Sequence, residues 1–207
     1  SAIPTPSPPA AAARPSRSDA PVLIATWNIN GVKARLDALL AWLQERSPDI
    51  ACLQEIKNVD ETFPREAIEA LGYHVETHGQ KGFNGVALLS KEKPVSIEPR
   101  LPGDSSDEHA RFIEGVWDFH GRPLRVASLY LPNGNPLGTE KFTYKLAWMQ
   151  RLDAHARDSM AREELLVLAG DYNIIPERGD AARPDNWTGD ALFQPESRAA
   201  YRRLINL

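Results

Sequence analysis

The chain opens with a short apolar run followed by an amphipathic segment. Residues 22–27 have the length and composition of a buried strand, and the polar segment 28–31 that follows is typical of a turn. Leucines then recur at helical spacing, at Leu36, Leu39, Leu40 and Leu43. The pattern predicts a strand and then a helix that ends before Pro48, because the residue before a proline avoids the helical region.

The rest of the chain mixes strands and helices. Further strands are predicted at 49–54, 73–77, 85–90, 95–98, 112–119, 124–131 and 165–169. Further helices are predicted at 64–71, from about 139 with Phe142, Leu146, Met149 and Leu152 on one face, and at 195–205. Helices near both ends of the chain and hairpins between them predict an α/β fold: a layered sandwich of two mixed sheets flanked by helices.

Composition divides the chain into two parts. Residues 1–21 are rich in proline, alanine and serine and lack a periodic apolar pattern, which predicts a disordered tail. Residues 22–207 carry the predicted elements, and a chain of 207 residues with 42% hydrophobic content suits one sizeable core. We therefore expect one domain over 22–207.

Charge, cysteine content and hydropathy restrict the class of protein. The formal net charge of −4 argues against a protein that coats nucleic acid by bulk electrostatics, although a local basic cleft stays possible. The single cysteine, Cys52, lies in an apolar run and has no internal disulfide partner, which favours a reducing, cytoplasmic setting. No apolar stretch approaches the roughly 20 residues of a membrane span, so no membrane association is expected.

Three predicted strands end in side chains that carry oxygen. Asn28 follows the first strand, Glu55 follows the second, and Asp171 and Asn173 follow the strand at 165–169. Loops at strand ends are where layered α/β proteins assemble sites, and Mg²⁺ prefers carboxylate and amide oxygens. Each cluster alone is more typical of an ordinary turn. Their joint occurrence favours a shared site.

Two further features add chemistry to these clusters. Tyr130 leaves a strand toward a Pro-Asn-Gly turn, although a tyrosine there is also typical of a strand aromatic whose hydroxyl reaches solvent. Gln80 and Lys81 lie between Gly79 and Gly82, and glycines at these positions allow a backbone to approach a phosphate. A plain hairpin loop explains the second feature nearly as well.

Taken together, the segments resemble a known family. They are Thr26-Trp27-Asn28-Ile29-Asn30-Gly31, Gln54-Glu55-Ile56-Lys57, His78-Gly79-Gln80-Lys81-Gly82, Asn84-Gly85-Val86-Ala87-Leu88-Leu89 and Gly170-Asp171-Tyr172-Asn173-Ile174. In this order they are similar to the signature series of the exonuclease III family of abasic-site (AP) endonucleases, in the endonuclease/exonuclease/phosphatase superfamily. The resemblance covers roughly residues 22–207.

The resemblance implies roles for individual residues. The implied metal site, for Mg²⁺ or alternatively Mn²⁺, consists of Asn28, Glu55, Asp171 and Asn173. The implied catalytic residues are Tyr130, Asp171 and Asn173, of which the last two orient and deprotonate the attacking water. The implied substrate-binding residues are Lys57, Gln80, Lys81, Arg111 and Asn133.

The implied activity is hydrolysis of DNA phosphodiesters in base excision repair. The expected enzyme is an exodeoxyribonuclease III-type 3′–5′ exonuclease and AP endonuclease, and the expected partner of the monomer is double-stranded DNA with abasic sites or 3′ ends. Two alternatives stay open. One is another phosphodiesterase or phosphatase of the same superfamily, and the other is a non-catalytic remnant that binds DNA.

The sequence departs from the family pattern in one respect. The resemblance implies a C-terminal part with further strands, an aspartate and a Ser-Asp-His motif. Among the five histidines, His74, His78, His109, His120 and His155, none follows a Ser-Asp pair near the end of the chain. We therefore expect a partial, C-terminally truncated domain that is poorly soluble or inactive by itself.

Overall fold

The computed structural model of the protein describes residues 20–207. The predicted tail therefore lies outside the described residues, apart from its last two positions. The described part contains eight strands: β1 (Ile24–Asn28), β2 (Ile50–Gln54), β3 (His74–His78), β4 (Val86–Ser90), β5 (Ser96–Glu98), β6 (Phe112–Phe119), β7 (Arg122–Tyr130) and β8 (Leu165–Asp171). Its four α-helices are α1 (Leu36–Arg46), α2 (Arg65–Glu69), α3 (Glu140–Met160) and α4 (Pro195–Ile205).

The strands form two mixed sheets of four strands each. The first has the order β1-β2-β4-β3, in which only β1 and β2 are parallel. The second has the order β5-β6-β7-β8, in which only β7 and β8 are parallel. Each sheet thus has one parallel pair at the edge that carries predicted site residues. The predicted class, a sandwich of two mixed sheets, is confirmed.

Three apolar clusters separate the layers. One lies between the sheets and contains residues such as Cys52, Leu88 and Val126. A second packs α1 and α2 against the first sheet, and a third packs α3 and α4 against the second sheet. The molecule therefore has four layers, with helices outside both sheets, as the alternation of buried residues along the strands requires.

The buried face of helix α3 matches the predicted one only in part. Met149 and Leu152 are buried as expected, but Phe142 and Leu146 are only half-buried. Lys145 and Trp148 take the central positions instead. The reason is that Lys145, Trp148, Met149 and Leu152 follow the i, i+3, i+4, i+7 spacing, and the lysine hides this stripe from a purely apolar count.

A buried ionic cluster fixes α3 on the second sheet. Glu114 of β6 is 2% exposed, and its two oxygens lie 2.5 Å from Arg125 Nη1 and 2.6 Å from His155 Nε2. Arg125 also bonds Glu164 at 2.6 Å. Because breaking a buried ion pair leaves an uncompensated charge, this cluster constrains the position of the helix.

None of the helices within residues 20–207 combines the length and apolar character that crossing a bilayer requires.

Replacing Gly170 by alanine is expected to destabilise the fold at the end of β8. A Cβ at Gly170 would lie 1.9 Å from the carbonyl oxygen of Leu129, so the backbone of β7 or β8 must move. We expect the free energy of unfolding in urea to fall by about 3 kcal/mol. Gly189→Ala is the matched control, because nothing lies within 4 Å of its Cβ position, and a change within about 0.5 kcal/mol is expected there. Equal effects of the two substitutions would contradict this packing.

The contribution of Glu114 to stability is expected to depend on pH. Burial raises the pKa of Glu114, but hydrogen bonds and charge from His155 and Arg125 outweigh it, and the net pKa is below the ordinary 4.5. The stabilisation is therefore complete above about pH 4.5 and is lost as the pH falls through the folded-state pKa. Glu114→Gln should cost about 3 kcal/mol near pH 7, and the difference from the unchanged protein should shrink in acid.

The matched control for this prediction is Asp158→Asn, which removes an exposed ion pair between Asp158 on α3 and Arg162 just after the helix. At every pH, the free energy of unfolding of this variant should differ from that of the unchanged protein by no more than about 0.5 kcal/mol. A Glu114→Gln difference that does not change between pH 7 and acid would contradict the assigned role of the carboxylate.

Candidate active site

Both sheets present their predicted site residues at one end of the sandwich. In the first sheet, β1 and β2 are parallel, so Asn28 and Glu55 leave the sheet at the same end. In the second sheet, Tyr130 is directly opposite Asp171 in the parallel β7–β8 pair. Arg111 precedes β6, which runs antiparallel to β7, and therefore lies at this end as well. The topology thus gathers residues from distant parts of the chain.

The amide of Asn28 joins two carboxylates from different sheets. Its Nδ2 donates to Glu55 Oε1 at 2.9 Å and to Asp171 Oδ2 at 2.9 Å. Its Oδ1 accepts from the backbone N–H of Asn30 at 3.1 Å, and this contact fixes which amide atom is oxygen. The geometry therefore gives Asn28 a different contact from the predicted one: it holds the two carboxylates together and turns its oxygen away from them.

Glu55 is surrounded by donors. Burial raises its pKa, but hydrogen bonds from Asn28, Tyr130 and Lys57 together bring the pKa below the ordinary value. Lys57 Nζ lies 3.3 Å from Glu55 Oε2 and donates to Asn30 Oδ1 at 2.5 Å. Glu55 is consequently held as a carboxylate in a fixed orientation.

The backbone of these loops is in an uncommon conformation. Of the eight non-glycine residues with positive φ among residues 20–207, five lie at this end: Asn30, Glu55, Lys57, Asn84 and Asn173. Left-handed backbone costs a non-glycine residue about 1 kcal/mol or more, so surrounding contacts must maintain it. Such residues often cluster where side chains are aimed at a ligand.

Tyr130 stays protonated in this environment. Burial, the charge of Glu55 and the hydrogen bond to Glu55 raise the pKa of Tyr130 to about 12, against the opposing charge of Arg111. Its hydroxyl therefore stays a neutral donor on the side of the Glu55 carboxylate. The predicted catalytic tyrosine and the predicted metal-binding glutamate are thus close enough for each to shift the pKa of the other.

Arg111 lies between two aromatic rings. Its Cζ is 5.1 Å from the ring centre of Tyr130 and 5.8 Å from that of Tyr144. Tyr144 in turn donates to Asp107 Oδ2 at 2.8 Å, and Arg151 bonds the same oxygen at 2.8 Å. Stacking of this kind orients the guanidinium and leaves its edge available to an anion.

Asp171 and Asn173 form a tight turn after β8. The N–H of Asn173 donates to Asp171 Oδ1 at 3.0 Å, and Asn173 Nδ2 donates to the carbonyl of Leu131 at 2.8 Å. The first contact is the Asx turn expected for an Asp-x-Asn sequence. The second ties this turn to the loop after β7, where Asn133 lies.

Asn133 is exposed and oriented by a neighbour that the sequence prediction did not include. Asn135 donates to Asn133 Oδ1 through its N–H at 3.1 Å and through its Nδ2 at 2.6 Å. Asn135 Nδ2 also donates to Asp190 Oδ1 at 3.0 Å. With its oxygen occupied, Asn133 can offer its amide N–H groups to an acceptor such as a phosphate oxygen.

The glycine-flanked loop divides its two predicted residues between different surroundings. Gln80 Oε1 accepts from Asn84 Nδ2 at 3.0 Å and from the N–H of Ala110 at 3.0 Å, so this side chain also braces the loop. Lys81 is exposed at the tip. A lysine in this position can reach a ligand that lies across the end of the sandwich.

An open cleft of about 420 Å³ lies where β1 and β8 meet. Asn28, Asp171 and Asn173 line it together with Thr26, Gln54 and Gly170. Its lining offers the carboxylate oxygens of Asp171 and the amide oxygen of Asn173 as metal ligands. Oxygen ligands of this kind suit a hard divalent cation that keeps several waters. Within residues 20–207, no group of three or more His, Cys, Asp and Glu side chains comes together to hold a metal. Among the described residues, Asp171 is the one carboxylate that lines the cleft, and Glu55 reaches the same point from outside it through the Asn28 amide. A cation beside Asp171 would therefore rest on these two carboxylates, on the Asn173 amide oxygen and on water.

Sequence reasoning missed the residues that support the site from behind. Gln54 is buried and donates to Ser128 Oγ at 3.0 Å, which connects the two sheets below the cleft. Lys145 is fully buried and bonds the loops after β7 and β8. For Lys145 a signal existed, since it lies on the apolar stripe of α3. For Gln54 the only signal was a polar residue that ends a buried strand.

Comparison with known proteins adds to this geometry. The endonuclease/exonuclease/phosphatase family matches residues 25–204. Exodeoxyribonuclease III of Haemophilus influenzae is 39% identical over 188 residues, which are 87% of this chain and 70% of that protein.

Two solved structures are also similar. An AP endonuclease from Archaeoglobus fulgidus has a TM-score of 0.81 and 34% identity, over 89% of this chain and 70% of that one. The 3′ phosphatase NExo from Neisseria, bound to a product DNA hairpin, has a TM-score of 0.83 and 34% identity, over 90% of this chain and 71% of that one. This chain thus spans about 70% of the length of each relative. It belongs to the endonuclease/exonuclease/phosphatase family, within the exonuclease III group of that family.

Proposed function

We propose that this site hydrolyses DNA phosphodiesters with the help of a bound Mg²⁺, in base excision repair. The observation that carries the proposal is the bridge from Asn28 to both Glu55 and Asp171, because it brings two carboxylates from separate sheets to one point. Phosphoryl transfer asks a protein mainly to position the reactants and to stabilise charge on phosphate oxygens. A carboxylate pair beside Tyr130, Arg111 and Asn133 meets both demands.

The support for DNA as the substrate comes from the relatives and from surface charge. The Neisseria relative is a 3′ phosphatase bound to a product DNA hairpin, and the Haemophilus relative is an exodeoxyribonuclease. Lys81, Arg111 and Asn133 give this chain donors on the same end of the sandwich. These donors would contact phosphate rather than base edges, so low sequence specificity is expected.

Glu55 and Asp171 would hold the metal, with Asn28 as the residue that keeps them in position. When bound, Mg²⁺ supplies a Lewis acid that neutralises charge on the scissile phosphate, and Mn²⁺ can replace it. This differs from the prediction that Asn28 is itself a ligand, since its Oδ1 is bonded to the N–H of Asn30. Asn173 Oδ1 stays available at the cleft, because its Nδ2 is the atom bonded to Leu131.

The remaining residues act on the water and the phosphate. Asp171 is oriented by Asn28 and by the N–H of Asn173, and it would accept a proton from the attacking water. Tyr130, with a pKa raised to about 12, stays a neutral donor at physiological pH. Arg111, stacked on Tyr130, would place its positive charge beside the developing charge on the phosphate oxygens.

The expectation that this chain is inactive by itself stays a prediction. Its physical basis within residues 20–207 is the open cleft, which is lined by a single carboxylate, that of Asp171, and by no histidine. We expect incision of an abasic duplex in Mg²⁺ to show no multiple turnover, while metal and DNA binding persist. Efficient turnover would overturn the inactivity and would support the proposed reaction.

Glu55→Gln should weaken divalent cation binding. The substitution removes one charge from the carboxylate pair and keeps the size of the side chain. We expect the dissociation constant for Mn²⁺, measured by electron paramagnetic resonance, to rise about 10-fold or more. Glu45→Gln, on the exposed surface of α1, is the matched control and should leave the constant unchanged. Equal Mn²⁺ affinity of both variants would remove Glu55 from the metal site.

Lys81→Gln should weaken binding to duplex DNA without regard to sequence. Because a lysine that contacts a phosphate releases one counterion, the slope of log Kd against log salt concentration should fall by about 1. Lys93→Gln is the matched control. Lys93 is exposed and follows the end of β4, which pairs with the start of β2, so it lies at the other end of the sandwich from Glu55. If the slope fell by the same amount in both variants, the cause would be a nonspecific effect of charge instead.

The choice of DNA over another phosphate ester has its own test. Binding of a duplex with an abasic analogue should be compared with binding of a soluble inositol phosphate, both in Mg²⁺. We expect measurable affinity only for the duplex. Preference for the inositol phosphate would replace the nuclease proposal with another activity of the same superfamily.

A further inference from the structure

Lys145 stands out among the charged residues because it is fully buried. It lies near the start of α3, and its relative exposure is 0%. Lysines are rarely buried unless their charge is compensated by hydrogen bonds or by an opposite charge. The contacts of its ammonium group therefore show what the residue does.

Both carbonyl partners of the ammonium group belong to site loops. Lys145 Nζ donates to the carbonyl oxygen of Asn133 at 3.1 Å and to that of Asn173 at 2.6 Å. The first carbonyl lies in the loop after β7 and the second in the turn after β8. One side chain thus connects the loop that follows Tyr130 with the turn that contains Asp171.

We propose that Lys145 is a positioning residue that holds these two loops in register for the metal and the phosphate. The inference rests on the proposed function, since it concerns the residues to which that function is assigned. Asn173 shows how the effect is transmitted. Its carbonyl is bound by Lys145, its N–H by Asp171 and its side chain by Leu131, so moving the carbonyl also moves the Asp171 carboxylate.

Close packing restricts the conformation of the Lys145 side chain. A Cβ at Gly134 would lie 2.6 Å from Lys145 Cδ, so the loop after β7 approaches the lysine stem closely. Gly134 also has a φ of +86°, which a glycine adopts without strain. Burial lowers the pKa of Lys145 to about 8, while Asp190 and Asp171 act in the opposite direction. The ammonium group thus has acidic neighbours on the side of the site.

Lys145→Met tests the proposal, because methionine keeps most of the stem and removes the donor. We expect a folded protein whose Mn²⁺ dissociation constant is about 10-fold higher, the effect typical of losing a residue that orients metal ligands. We also expect faster hydrogen exchange in segments 131–136 and 170–175, with exchange in β2 and β4 unchanged. Lys145→Gln, which can donate to one of the two carbonyls, should give an intermediate affinity.

A purely structural role is separated by a control on the same helix. Leu152→Val shortens a fully buried side chain of α3 that packs in the apolar cluster of the second sheet. It should lower the melting temperature and leave Mn²⁺ affinity unchanged. If Lys145→Met leaves Mn²⁺ affinity and exchange in the two segments unchanged, or if Leu152→Val changes them as much as Lys145→Met does, Lys145 has only a structural role and the inference is wrong. If Lys145→Met does not fold, the result for Lys145→Gln decides.

The failure of the inference and the failure of the proposed function give different results. If Glu55→Gln abolishes Mn²⁺ binding while folded Lys145 variants bind normally, the function stands and the inference falls. If the unchanged protein binds neither Mn²⁺ nor Mg²⁺, the proposed function falls and the inference falls with it.

Discussion

The candidate site depends on two negative charges that are held close together. Glu55 Oε1 and Asp171 Oδ2 are each 2.9 Å from the same amide nitrogen, so they lie at most twice that distance apart. At about 6 Å and an effective dielectric of about 20, two such charges repel by about 3 kcal/mol. The amide of Asn28 and the ammonium of Lys57 offset part of this repulsion. A divalent cation offsets more of the repulsion, so the close approach of the two carboxylates favours cation binding.

The rest of the molecule serves to keep that geometry. Each sheet has one parallel pair at its edge, and the strands of these pairs end at the same side of the sandwich. The turns that follow contain non-glycine residues whose backbone is in the left-handed conformation, which contacts from side chains must maintain. The supporting contacts come from behind the site: Gln54 between the sheets and Lys145 from α3. Residues toward solvent, such as Lys81, are left free to meet a substrate.

The sequence predicted much of the fold because its strands are strongly apolar and its helices amphipathic. The bounds of β6 and α4 agree with the predicted ranges, and the two mixed sheets were expected from the order of elements. The predicted buried face of α3 was wrong in part, because Lys145 occupies an apolar position. Hydrogen bonds from its ammonium group to distant loops offset the cost of removing it from water. The compensating contacts depend on tertiary structure, so a count of apolar residues alone does not reveal them, even though Lys145 follows the spacing of the buried stripe.

The candidate site was predictable to the extent that its residues follow strand ends in recognisable motifs. The sequence could not indicate how each side chain is oriented. Asn28 was expected to offer an oxygen to a metal, yet its oxygen faces Asn30 and its nitrogen faces the carboxylates. Likewise Asn135, which fixes Asn133, lies outside the motifs and acts through a contact with Asp190, 55 positions along the chain.

The most direct measurement of the central claim is Mn²⁺-induced broadening of backbone amide signals in a nitrogen-15 NMR spectrum of the protein. If Glu55 and Asp171 share one cation, the signals of residues 28–30, 55–57 and 171–173 should broaden together at the lowest Mn²⁺ concentrations, while those of β5 and the far end of α3 stay sharp. Broadening around only one of the two carboxylates, or first at another part of the surface, would contradict the account.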